Sequence, residues 1–167
     1  MFWDCETTGR QGDYDSITVV SCKPYGRKPV TFQIRQLGND QRVVREAKEY
    51  LEKADAWVTY YGKGFDVPFL NTRLLKWSVP PVDPRPHVDM YFSLKPKMLV
   101  GRRSQAHLLE FLETPQKKMT VSPNVWAGLA VHFKENMAIL VRRCESDTRG
   151  LEALYKKTKH LIRDVPR

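Results

Sequence analysis

The opening residues constrain this chain most. Met1-Phe2-Trp3 is apolar and runs directly into Asp4-Cys5-Glu6-Thr7. Such a run reads as a short buried strand, yet it carries carboxylates at i and i+2. In a strand that spacing puts both side chains on one face. Adjacent carboxylates repel each other and lose hydration on burial, so they need a cation between them. Their hard oxygens suit magnesium or manganese. The same pair also fits a strand end running into a polar turn, here Thr7-Thr8-Gly9.

Further along, residues 16–23 and 29–35 are rich in Val, Ile, Thr and Phe and are separated by Pro24, Tyr25 and Gly26, which predicts a hairpin beside the first strand. Asn39 or Asp40 can cap a helix over residues 41–54, whose apolar stripe is Val43, Ala47, Tyr50, Leu51 and Ala54. A strand over 56–60, a Gly62-Lys63-Gly64 loop and a helix over 66–77 follow, with Pro68 tolerated in the first turn. A last strand is expected over 87–92, a basic loop over 95–103, short helices over 105–112 and 125–131, and a long helix over 134–160. The order β-β-β-α-β-α-β-α-α implies an α/β fold with a mixed sheet and helices on its faces. No linker divides it, so one domain over residues 1–167 is expected.

The long helix carries a second clue. Phe133, Met137, Leu140, Cys144, Asp147, Leu151 and Leu154 follow spacings of three and four and trace one helix face. All but one are apolar or nearly so, and Asp147 therefore falls on the side due for burial. It needs a partner there, either a metal ion or a nearby arginine. Asp66 stands at a helix start, where the helix dipole favours negative charge. That is also an ordinary place for an aspartate.

Lys and Arg number 28 against 19 Asp and Glu, for a net charge of +9. This favours a polyanionic partner, with nucleic acid first. Three widely spaced cysteines, Cys5, Cys22 and Cys144, make no CxxC pair and fit a reducing compartment. No apolar run approaches the roughly 20 residues of a membrane span. A cytoplasmic protein with no membrane partner is expected.

These acids also carry a family resemblance. Phe2-Trp3-Asp4-Cys5-Glu6-Thr7-Thr8-Gly9 resembles the first motif of the DEDD, or DnaQ-like, 3′→5′ exonucleases. Residues 60–70, Y-Y-G-K-G-F-D-V-P-F-L, look like the second motif with Asp66 as its acid. Residues 87–91, H-V-D-M-Y, are similar to the strand that follows it, and residues 142–151, R-R-C-E-S-D-T-R-G-L, to the third motif with Asp147 as its acid. The likeness is nearest to the small ribonuclease H-like exonucleases of bacteria and phages and weaker to the proofreading domains of family B polymerases. It implies a ribonuclease H-like fold with a mixed five-stranded sheet. It also implies two Mg²⁺ (or Mn²⁺) ions held by Asp4, Glu6, Asp66 and Asp147, and release of nucleoside 5′-monophosphates from nucleic acid, single-stranded DNA or 3′ ends first. The host would be a bacterium or a phage-infected cell.

The chain departs from the pattern twice. The family places a tyrosine four residues, or a histidine five residues, before the last aspartate, to orient or deprotonate water. Here those positions are Arg143 and Arg142, and arginine stays protonated. Three readings stand: the metal alone activates water; His107, His132 or a lysine substitutes; or the site binds nucleic acid without turning it over. Tyr61 replaces an asparagine common in relatives. Candidate substrate contacts are Arg142, Arg143, Tyr61 and Phe65, together with Lys95, Lys97, Arg102 and Arg103 of the basic loop. Asp89 is left out of the metal set. A non-catalytic nucleic-acid-binding module and a metal-dependent endonuclease are the competing functions.

Overall fold

The acid-bearing strand becomes the middle of the sheet. β1 (Phe2–Thr7) lies at the centre of five strands in the order β3-β2-β1-β4-β5. β2 (Ile17–Lys23) pairs antiparallel with it, Phe2 opposite Lys23 and Glu6 opposite Val19, and β3 (Val30–Gln33) completes the hairpin. β4 (Trp57–Thr59) and β5 (His87–Asp89) add in parallel on the other side. The mixed five-stranded sheet expected from the sequence is therefore present. This computed structural model describes residues 1–162.

Alternation along β1 sends Trp3 and Cys5 to one face and Phe2, Asp4 and Glu6 to the other. Trp3 and Cys5 join a core with Val43, Val44, Ala47 and Leu51 of α1 (Gln41–Leu51) and Phe69, Leu70 and Leu74 of α2 (Asp66–Lys76). Phe2, Val58 and Val88 form a second core with α3 (Met90–Leu94) and α4 (Gln105–Phe111). α5 (Asn124–Ala127) and a 3-10 turn at Gly128–Ala130 lead into α6 (Phe133–Thr158). Both cores use α6: Met137, Leu140 and Cys144 join the first, Leu151 and Leu154 the second. The apolar stripe expected on this helix is the buried one, and Asp147 is buried with it.

Several boundaries shift for local reasons. The strand expected over 87–92 stops at Asp89, because the Asp89 carboxylate accepts the backbone N–H of Tyr91 (3.1 Å) and starts α3 there. α1 ends at Leu51 rather than 54; the N–H groups of Lys53 and Ala54 turn back to Tyr50 and Leu51 in a tighter final turn. Asp40 precedes α1, but its side chain makes no capping bond. It is buried instead, accepting from Arg73 Nε (2.8 Å) and Nη2 (3.0 Å), Trp77 Nε1 (2.7 Å) and the Ile17 N–H (2.9 Å). One carboxylate thus joins α2 to the start of β2. Among the described residues no helix is long and apolar enough to cross a membrane.

Arg73 and Asp40 are almost wholly withdrawn from water, with side-chain exposures of 1% and 0%. Asp40→Ala would strand the guanidinium and is expected to cost about 3–5 kcal/mol. A fall in the urea unfolding midpoint checks this, and an unchanged midpoint would remove the network from the frame.

Candidate metal centre

The acids meet at the C-terminal end of β1. Asp4 and Glu6 project from the strand toward α6, which presents Asp147 to them. A carboxylate oxygen from each of the three lies within 4.8 Å of the other two. Glu6 and Asp147 are buried and Asp4 partly so. Asp66 reaches the same cleft from the first turn of α2, but stands beside the trio. Its Oδ1 accepts the Cys5 N–H (3.1 Å) and the Cys5 thiol (3.2 Å). The residue between the two β1 acids therefore fixes Asp66.

Two cations hold the trio together. Arg143 Nε lies 2.8 Å from Glu6 Oε1 and 3.9 Å from Asp147 Oδ2, one helical turn from Asp147. Its guanidinium stacks 4.8 Å from the Trp126 ring, which fixes its plane. Lys118 Nζ lies 2.9 Å from Asp147 Oδ2. Asp147 Oδ1 is buried with no hydrogen-bond partner.

Burial dominates the electrostatics. It pushes Asp4 well above the usual carboxylate range, and the charges of Asp66 and Asp147 push it further. Burial raises Glu6 to about 7 against the pull of Arg143. It raises Asp66 to about 6 against the hydrogen bonds from Cys5. Asp147 is raised by burial too, with Lys118 and Arg143 opposing. For Lys118, burial works against the charged form, but Asp147 and Asp4 outweigh it and the ammonium is strengthened. Three converging oxygen ligands, too little positive charge and a vacant buried lone pair fit a hard divalent cation.

The cleft around this cluster has a volume of about 640 Å³, and Tyr61, Phe65, Arg143 and Lys118 are among its walls. Other candidate contacts lie elsewhere. Arg142 is exposed and faces away, beside Gln33, Ile34 and Phe133. Lys95, Lys97 and Arg102 are exposed in the 95–103 segment and do not line the cleft. Arg103 turns inward, its Nη1 donating to the carbonyls of Met98 (3.0 Å) and Lys95 (3.3 Å), so it braces that segment. His107 and His132 stand outside the cleft as well. Lys118 and Trp126 were not singled out in the sequence. Lys118 sits next to Lys117 in a patternless loop, and no periodicity marks which of the two turns inward.

Residues 1–119 match the RNase_H superfamily, and the chain belongs to that family. No curated protein sequence matches it. The fold is shared with the family B DNA polymerase from the hyperthermophilic archaeon Pyrobaculum calidifontis at 19% identity and a TM-score of 0.80, over 95% of this chain. The chain spans only 24% of that polymerase. It is also similar to a protein described as the apo form of the nuclease, at 19% identity and a TM-score of 0.61, over 98% of this chain and 73% of the other.

The raised carboxyls set a pH dependence. A group whose folded pKa exceeds its unfolded value favours folding when protonated, so stability falls as the unfolded chain ionises first. For Glu6 the window runs from 4.5 to about 7, and for Asp66 from 3.8 to about 6. These groups therefore destabilise the metal-free protein as pH rises through that range. A bound divalent cation offsets the loss. The gain in Tm from Mg²⁺ or Mn²⁺ over EDTA is expected to be larger at pH 8 than at pH 5. Equal gains in scanning calorimetry would count against the cluster as the binding site.

Proposed function

We propose that this chain is a metal-dependent 3′→5′ exonuclease of the DEDD type, acting on single-stranded nucleic acid, DNA first. The observation that carries the reading is the convergence of Asp4, Glu6 and Asp147, with Asp66 alongside, in a cleft of a superfamily fold whose central strand delivers two of the acids. The net charge of +9 supports a nucleic-acid substrate. The free, buried thiols of Cys5, Cys22 and Cys144 suit a reducing cytoplasm.

Asp4, Glu6, Asp66 and Asp147 would hold two Mg²⁺ or Mn²⁺ ions, which supply Lewis acidity toward the attacking water and the leaving 3′-oxygen. The chain's own residues do the rest. The carboxylates line the floor of the cleft in which the scissile phosphate would sit. Arg143 stands where relatives place a tyrosine, and Trp126 stacking keeps it aimed at the cleft floor. Lys118 approaches Asp147 as well. Both are donors that, once released from their carboxylate partners, can bind non-bridging phosphate oxygens. Water adds to phosphorus, the P–O3′ bond breaks, a proton from the water ends on the 3′-oxygen of the shortened strand, and a nucleoside 5′-monophosphate leaves. Tyr61 and Phe65 are placed to contact the terminal nucleotide.

One observation favours a second reading, a nucleic-acid-binding module without turnover: Arg143 and Lys118 already occupy the acid cluster. Single strands of DNA and RNA labelled at either end, incubated with Mg²⁺, Mn²⁺ or EDTA, separate the two. Stepwise, metal-dependent shortening from the 3′ end, reduced about a hundredfold or more in Asp147→Asn, is the expected result. Binding without cleavage in either metal would leave only the module. Internal fragments as first products would indicate an endonuclease.

Lys118→Ala separates the roles of that side chain. Loss of an ammonium competing for Asp147 should tighten Mg²⁺ binding, read by isothermal titration, while lowering the cleavage rate about 10–100-fold. If both affinity and rate stay unchanged, Lys118 is a spectator.

A further inference from the structure

Tyr61 is in an unfavourable backbone conformation. Its φ is +64°, in the left-handed region that glycine and asparagine tolerate and a bulky side chain does not. Such a residue persists only where its surroundings hold it there. Asp89 does the holding: its carboxylate accepts the N–H groups of Tyr61 (3.0 Å) and Lys63 (2.9 Å) as well as that of Tyr91. Asp89 itself is buried, at 1% exposure. One acid thus clamps the loop before α2 onto the start of α3.

The strained position presents the Tyr61 ring to solvent instead of hiding it. The ring remains 46% exposed, and Phe92 beside it 44%. The two rings are tilted to each other by 30°, with centroids 5.6 Å apart. Tyr91 packs edge-on beneath both, 5.1 Å from Tyr61 and 5.2 Å from Phe92. Gly64 gives the ring its seat. A Cβ there would fall 2.6 Å from the Tyr61 ring, inside any allowed contact. Tyr61 also lines the acid cleft, so the patch is continuous with it. Its rim is cationic: Lys63 is exposed, and Lys95, one turn beyond Phe92, is exposed too.

We propose that Tyr61 and Phe92, propped by Tyr91, form a stacking platform for the unpaired bases of a single strand whose 3′ end enters the acid cleft. Flat aromatic faces beside lysines suit a chain that alternates bases with phosphates. A duplex keeps its bases stacked on one another and offers no free face to the platform. This gives the single-strand preference a physical origin and assigns Asp89 a positioning role. The inference rests on the nuclease reading only for the direction of the strand.

Binding is measured by anisotropy in EDTA with the full chain, using oligo-dT that carries 2-aminopurine near its 3′ end and a blunt duplex as comparison. Tyr61→Gly and Phe92→Ala are each expected to weaken single-strand binding about tenfold and to relieve the quenching of 2-aminopurine. Tyr61→Phe should keep both. Glycine relaxes the strained φ, so Tyr61→Gly should keep or raise Tm while affinity falls; a purely structural Tyr61 would show the opposite pattern, a lowered Tm in Tyr61→Gly. Gly64→Ala, which leaves the tyrosine but displaces its ring, should weaken binding as well. Unchanged affinity in both Tyr61→Gly and Phe92→Ala overturns the platform. So does a wild-type dimer in sedimentation that Phe92→Ala dissolves, since the patch would then seat a second copy of the chain. Hydrolysis of thymidine 5′-(4-nitrophenyl phosphate) by the wild type in Mn²⁺ tests the nuclease reading separately. An inert wild type whose single-strand binding still depends on Tyr61 and Phe92 supports the platform while ending the nuclease.

Discussion

Three carboxylates brought within 4.8 Å of one another and out of water cannot all be charged without positive charge between them. Much of this architecture answers that constraint. β1 supplies two of the acids because a strand repeats its facing every second residue. α6 supplies the third because it crosses the same face. Arg143 and Lys118 arrive from two sides to hold the repulsion in check, and burial still leaves the acids far more protonated than free carboxylates. The site already holds two of the protein's own cations among acids whose ligand set fits a further, divalent one.

The rest of the molecule keeps that tension from spreading. Asp40, fully paired with Arg73, Trp77 and Ile17, joins α2 to the start of β2 on the face away from Glu6. Asp89 ties the loop before α2 to α3. These two buried acids contrast with the cleft trio. Each of them meets several donors, whereas Asp147 keeps one oxygen with none. A satisfied carboxylate serves the frame, and an unsatisfied one marks where something else belongs.

Much of this was legible in the residues. The i, i+2 acids of β1 and the lone aspartate in the apolar stripe of α6 both follow from periodicity, and the structure puts them together. The mixed character of the sheet followed from the alternation of elements, and the hairpin beside β1 from the turn residues at 24–26. Other features have no periodic signature. Lys118 lies in a loop where Lys117 and Lys118 are equivalent on paper, and the choice is made by tertiary contacts. Arg142 and Arg143 are both candidates from the sequence, but only Arg143 stands one turn before Asp147 on the same side, and it is Arg143 that meets the acids. The strand expected through Phe92 ended early because the capping bond of Asp89 overrode a run of residues that suit a strand as well as a helix. The basic segment at 95–103 suits either a grip on a nucleic-acid backbone or a solvated loop; Lys95, Lys97 and Arg102 are exposed and do not line the cleft, and Arg103 turns inward to brace the segment.

The double employment of α6 has a further consequence. Cys144 packs in one core and Leu151 in the other, with Asp147 between them. A single residue inserted between Cys144 and Leu151 would turn everything beyond it by about 100°. Either Asp147 would leave the acids or Leu151 would leave its core. The phase of this helix is therefore locked at both ends. Changes of chain length are tolerated more readily in connections outside the helices and strands, such as those at 95–104 and 112–123. Lys118 rides on the second of these. The acids of the cleft are bound to one rigid helix phase, while the lysine that faces Asp147 sits in a connection outside any helix or strand, so the charge at the cleft can be changed without moving the acids.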